Sequence, residues 1–179
     1  MASRKQSHDE FTRFARASAG RLVRAAYLVL GDLSEAENLS QETLAKVAAR
    51  WPRVKRMDSP YGYARQILFH LALRERHRRS RGPVLMPRLP EVAVDDTADA
   101  FAIREHLTAA IAGLPRRQRA TLVLRYWEGL SEAETAATLG CSIGTVKSQT
   151  SKALQGLRIA LGEPDASPAQ TTIGERTQR

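Results

Sequence analysis

Between Ser131 and Leu161 the chain reads SEAETAATLGCSIGTVKSQTSKALQGLRIAL, and few architectures accommodate it. Ser131 and Glu134 form S-x-x-E, the pattern of a helix start in which hydroxyl and carboxylate cap each other's backbone amides. Gly140 follows, the residue that ends a helix in the left-handed region at least cost. A second helix runs over 142–161. On a wheel of 100° per residue, Val146, Thr150, Ala153, Leu154, Leu157 and Leu161 fall within an arc of about 100°, the width of a core-facing stripe. Lys147, Ser148, Ser151, Lys152 and Gln155 gather opposite. An ordinary solvated face favours Glu and Lys over Ser and Thr, which compete with the helix for backbone hydrogen bonds. Short hydroxyl side chains flanked by lysines let a helix approach a polyanion closely while attracting it. Helix, glycine turn and two-faced helix make a helix-turn-helix. Its second helix fits a DNA major groove, roughly 12 Å wide.

The rest of the chain is also helical in period, and no segment alternates as a strand does. A first helix is expected from Ser7, where Ser7 and Glu10 repeat the S-x-x-E pattern, to a stop at Gly31. A second begins at Ser34, paired with Glu37, and ends at Trp51-Pro52, since a residue before proline resists the helical region. Ser59-Pro60 then supplies a cap and first turn for a helix over 61–79. Gly82, Pro83, Pro87 and Pro90 break the period through 80–100, which reads as an extended linker. Helices over 101–112 and 115–128 precede the helix-turn-helix. The tail from 163 is rich in Pro, Thr and Gln and is expected to be disordered. The expectation is an all-α chain of two small helical domains, 7–79 and 101–162, joined by the linker 80–100, with a disordered tail 163–179.

Charge points to the partner. The 179 residues carry a net charge of +9. Residues 1–79 hold 16 Lys+Arg against 8 Asp+Glu, residues 80–100 hold 2 against 4, and residues 101–179 hold 10 against 7. Two basic blocks flank an acidic one, and a surface this basic favours a polyanion partner, nucleic acid first and an anionic membrane second. No apolar run approaches the roughly 18–20 residues that span a bilayer, and the N-terminus lacks the apolar core of a signal peptide. The one cysteine, Cys141, gives no internal disulfide, and the four histidines show no ligand spacing with it. Nothing calls for a metal or cofactor, and a reduced cytoplasm fits.

The segment LPRRQRATLVLRYWEGLSEAETAATLGCSIGTVKSQTSKALQGLR resembles region 4 of a bacterial extracytoplasmic-function sigma factor, a member of the sigma-70 family. Leu114-Pro115, Gln118-Arg119, Leu124-Arg125-Tyr126, Leu139-Gly140-Cys141 and Gly144-Thr145-Val146-Lys147-Ser148 carry the likeness. The N-terminal half resembles region 2, through Asp32, Ala36-Glu37, Gln41-Glu42 and the helix over 61–79. The resemblance covers roughly 9–160, and its Arg- and Ala-rich style is similar to an actinobacterial subgroup. Asn38, His70, Thr135, Gln149 and Thr150 depart from the usual residues.

The resemblance implies a factor, not an enzyme, that binds core RNA polymerase and carries it to promoter DNA. Region 4 would read the −35 element as duplex through Thr145, Lys147, Ser148, Ser151 and Lys152, with Arg116, Arg117 and Arg119 on phosphates at a helix start. Region 2 would open the −10 element with Trp51, Arg53, Lys55, Arg56, Tyr61, Arg65, Gln66, His70 and Arg74. Glu35, Asn38, Gln41 and Glu42 would face the clamp helices of the polymerase β′ subunit, and apolar residues such as Leu107, Ile111, Leu122 and Val123 would divide between core and the β flap. An anti-sigma factor is a partner the family often has, although no residue here marks one. Trp51 reads equally as a core anchor, and Tyr63, in period with Ile67, reads first as core. The arginines of 74–79 also suit a solvated helix end near the negative pole of the helix dipole, but their density just before the linker favours DNA phosphate. Two rivals remain: a sensor-controlled regulator, for which residues 1–79 show no βα pattern, and a DNA-cutting enzyme, for which the carboxylates are too scattered to hold metal.

Overall fold

The computed structural model describes residues 2–74, 106–107 and 109–162, with side chains from Gln6 onward. The expected linker 80–100, Arg76, Arg78, Arg79 and the tail lie outside the described residues. Among the described residues there are helices and turns and no strands. Helix α1 spans Ala2–Leu30 and α2 Leu33–Ala48, followed by the short α3, Trp51–Val54, and α4, Pro60–Arg74. In the second half, helical backbone at 109–112 leads to α5, Arg116–Leu122, a π-helical segment Val123–Trp127, α6, Glu132–Leu139, and α7, Ile143–Ala160.

Two expected helix starts move. Helix α1 already runs from Ala2, so Ser7 lies inside it, and the Glu10 carboxylate takes Lys55 Nζ at 2.7 Å instead of capping. Nothing in the preceding residues resists the helix. Gly31, at φ 78°, closes α1 by donating its N–H to the Tyr27 carbonyl at 2.7 Å. Asp32 is thereby left as the one extended residue before α2, and it, not Ser34, is the N-cap: its Oδ1 accepts the Glu35 N–H at 2.8 Å. Helix α2 stops at Ala48, before the expected Trp51-Pro52 boundary, and Pro52 sits in the first turn of α3, where a missing N–H costs nothing. Ser59 caps α4 as expected, its Oγ accepting the Gly62 N–H at 2.9 Å.

The capping box of α6 forms in full. Ser131 Oγ accepts the Glu134 N–H at 3.2 Å and the Glu134 carboxylate accepts the Ser131 N–H at 2.8 Å. These bonds from Ser131 hold the Glu134 carboxyl below the usual carboxylate range. The depressed value means that the interaction contributes stability in neutral solution and is lost as the pH falls through it. Ser131→Ala is expected to cost about 1 kcal/mol of stability and to let Glu134 titrate nearer its ordinary value, checked by denaturant titration and by carboxyl NMR shifts against pH.

The expected helix over 115–128 becomes α helix as far as Leu122 and π helix beyond it. The Glu128 N–H bonds five residues back to the Val123 carbonyl at 2.9 Å, and Leu130 N–H reaches the Leu124 carbonyl at 3.0 Å. Wide turns of this kind cluster where a side chain is needed in a particular place, here the Glu128 carboxylate, which points into the protein. Arg125 secures the turn by bonding the Leu130 carbonyl.

Helices α1, α2 and α4 pack together around Leu22, Ala25, Val29, Ala36, Val47, Leu68 and Phe69. The same core takes in Ala120, Val123, Leu124 and Leu130 from the second half, so α5, the π segment and α6 rest on α1 and α4. A smaller core under α7 joins Leu114, Leu122 and Ala153, with Leu154 and Leu157 at its edge. Gly156 makes this approach possible, since a Cβ there would stand 2.8 Å from Leu114 Cδ2. Leu161, expected on the buried stripe, is exposed at the helix end.

Candidate nucleic-acid interface

Helix α7 follows a turn built as its sequence requires. Gly140 sits at φ 65°, and Ser142, extended, accepts the Thr145 N–H on its Oγ at 3.1 Å. The Ser142 and Thr145 hydroxyls also meet at 2.9 Å, so Thr145, half-buried, belongs to the cap. Val146 and Ala153 are fully buried, whereas Lys147, Ser148, Ser151 and Lys152 are exposed. Lys147 Nζ lies 3.7 Å from Glu132 on α6. Thr135, in place of an apolar residue, is fully buried, and its Oγ1 has no hydrogen-bond partner, as has Thr150 Oγ1.

The arginines at the start of α5 divide. Arg117 is exposed. Arg116 reaches Glu35 of α2 at 3.8 Å. Arg119 is half-buried, and burial, with Arg116 nearby, lowers its guanidinium pKa. The −10 candidates divide as well. Arg53, Lys55, Arg56, Gln66 and Arg74 are exposed, with Lys55 tied to Glu10. His70 is half-buried with its Nε2 beside Gly140. Trp51 is buried against Phe14 and Phe11, with ring centroids 5.1 and 5.5 Å apart, and so is not presented as a platform for a base. Tyr61 and Arg65 turn inward to the second half of the chain. On α2, Asn38, Gln41 and Glu42 are exposed, Glu42 pairing with Lys46 at 3.2 Å, and Glu35 is half-buried.

Residues 14–82 match the family Sigma-70 region 2, and residues 104–157 match Sigma-70, region 4. The chain is 34% identical over 152 residues to the RNA polymerase sigma-E factor of Streptomyces coelicolor, covering 85% of this chain and 86% of that one. It is 33% identical over 139 residues to the ECF RNA polymerase sigma factor SigC of Mycobacterium tuberculosis, covering 76% and 75%. The chain belongs to the sigma-70 family.

This sigma factor, of the extracytoplasmic-function type, serves RNA polymerase in starting transcription at promoter DNA. It shares its fold with the Bartonella quintana sigma factor RpoE, solved in complex with the anti-sigma factor NepR, at a TM-score of 0.66 and 23% identity over 87% of this chain and 99% of that one. Among the described residues no helix is long and apolar enough to cross a membrane, and no group of three His, Cys, Asp or Glu could hold a metal ion.

Sequence reasoning missed two features of the sigma factor. Arg158 is exposed and lines one depression with Lys147 and Ser151; its place seven residues after Ser151, two helical turns on, was the available signal. Arg21 and Glu128 had no such signal, because they stand 107 residues apart and meet only in the fold.

Proposed function

We propose that α7 of this sigma factor reads the −35 element in the major groove, through Lys147, Ser148, Ser151 and Lys152, with Thr145 at the helix start and Arg117 on an adjoining phosphate. The observation that carries this reading is the two-faced α7, buried at Val146 and Ala153 and basic and short-chained opposite. Arg53, Lys55 and Arg56 hold the displaced backbone at the −10 element, and Tyr61, Arg65, Gln66, His70 and Arg74 serve the opened strand along α4. Trp51 supports that surface from beneath. Asn38, Gln41 and Glu42, with Glu35 beside them, face the β′ clamp helices, and Leu107, 40% exposed, adjoins the β flap surface. The division into 7–79, 80–100, 101–162 and a tail 163–179 belongs to this proposal, as do a cytoplasmic place of work, an anti-sigma partner and the absence of catalysis by the chain itself.

Run-off transcription with core polymerase on fragmented genomic DNA tests the reading: the factor should yield discrete start sites that share an upstream element. Failure to direct any initiation overturns it. Gln41→Ala with Glu42→Ala should weaken core binding about tenfold or more, as the loss of paired contacts at an interface centre does, with helical content unchanged by circular dichroism. Unchanged affinity for core counts against the clamp-facing surface.

A further inference from the structure

The Glu128 side chain is fully buried, where an ionised carboxylate persists only if it is paired and hydrogen-bonded. Three donors meet it. Arg21 of α1 gives Nη2 at 2.8 Å and Nε at 3.3 Å, Tyr61 of α4 gives its hydroxyl at 3.0 Å, and Arg65 of α4 gives Nη1 at 3.4 Å. Arg21 also lies over the Tyr61 ring, 4.4 Å from its centroid. Burial, and then the Glu128 charge, push the Tyr61 pKa up, so its hydroxyl stays a donor. All three donors belong to region 2, and the anion belongs to region 4.

Two guanidinium forks and a hydroxyl converging on one point form the kind of site that carboxylate and phosphate share. The carboxylate does not exhaust it, since Arg65 Nε is buried without an acceptor. Around Glu128 the halves close over Val123, Leu124 and Leu130, and Arg116 meets Glu35 at 3.8 Å. Region 4 thus covers part of the face that the −10 reading assigns to single-stranded DNA.

We propose that Arg21, Tyr61 and Arg65 form an anion site whose second occupant is a backbone phosphate of single-stranded DNA, and that Glu128 is its internal competitor. The proposal rests on the −10 reading and adds Arg21 to it. The chain that holds Glu128 in place cannot hold the strand there, so the two halves part before the site is filled. Strand affinity of the free factor is then reduced by the fraction of chain that is closed.

The test uses the full chain and a fluorescein-labelled oligo-dT 20-mer, read by anisotropy. Glu128→Gln keeps the shape and removes the charge, and should tighten binding about tenfold, within the usual range of coupling between sites. Adding Arg21→Ala to Glu128→Gln should abolish the gain. An affinity equal to the parent's in Glu128→Gln, or a gain that survives Arg21→Ala, overturns the proposal. Hydrogen exchange on the unaltered chain needs no variant: saturating oligo should raise exchange over 123–130, and unchanged protection there overturns the competition. The holoenzyme separates this from the −10 reading. Promoter opening that is lost with Arg65→Ala while the free-chain results fail overturns the competition alone. Opening that survives Arg65→Ala overturns the −10 assignment, and the phosphate occupant with it.

Discussion

Trp51→Ala is expected to destabilise the sigma factor by about 3–5 kcal/mol, the usual cost of deleting a buried aromatic ring. That is a large part of the roughly 5–15 kcal/mol that holds a domain of this size together. The indole is only 7% exposed and stacks between the first helix and the short third one, with Phe14 at 5.1 Å and Phe11 edge-on at 5.5 Å and 70°. Its Nε1 has no hydrogen-bond partner, so the ring acts here through packing area and shape. Trp51→Phe retains part of that packing and should cost less. Urea denaturation of the three chains checks the order. A Trp51→Ala chain as stable as its parent yet unable to open a promoter would instead return the residue to the −10 site as a base platform.

Lys147→Ala combined with Lys152→Ala should weaken binding to a −35 duplex on the order of 10–100-fold near 0.1 M salt, and lower the log–log salt slope by about 2, one for each lost phosphate contact. The Lys147 pairing with Glu132 is long, at 3.7 Å, and between exposed groups, so water and salt screen it and DNA competes for the lysine easily. Anisotropy titrations at several salt concentrations, using the duplex recovered from run-off transcription, give both quantities. A slope equal to the parent's would mean that α7 does not meet the backbone through these side chains. Because Val146 and Ala153 hold the other face, neither substitution should alter helix content.

The caps show how far local pattern reaches. S-x-x-E occurs at Ser7, Ser34 and Ser131, and only the last becomes a capping box. Ser131 follows Gly129 and Leu130, where the chain has already left the preceding helix. At Ser34 the turn after Gly31 leaves Asp32 as the cap, and at Ser7 no turn precedes it. The same motif is therefore a signal only where something nearby interrupts the helix. The helix-turn-helix was legible because each of its determinants is local: a capping pair, a left-handed glycine at φ 65° and a stripe of apolar residues one turn apart.

By itself, then, the sequence determined the all-helical character, the two-faced α7 and its likeness to sigma region 4, all properties of residues a few positions apart. Only the tertiary structure decided that Trp51 belongs to the core, that a π turn delivers Glu128 inward, and that Arg21, Tyr61 and Arg65 receive it. A buried charge gains partners across more than sixty residues of chain only when the packing of whole helices removes water around it, and periodicity along a single helix carries no trace of that encounter.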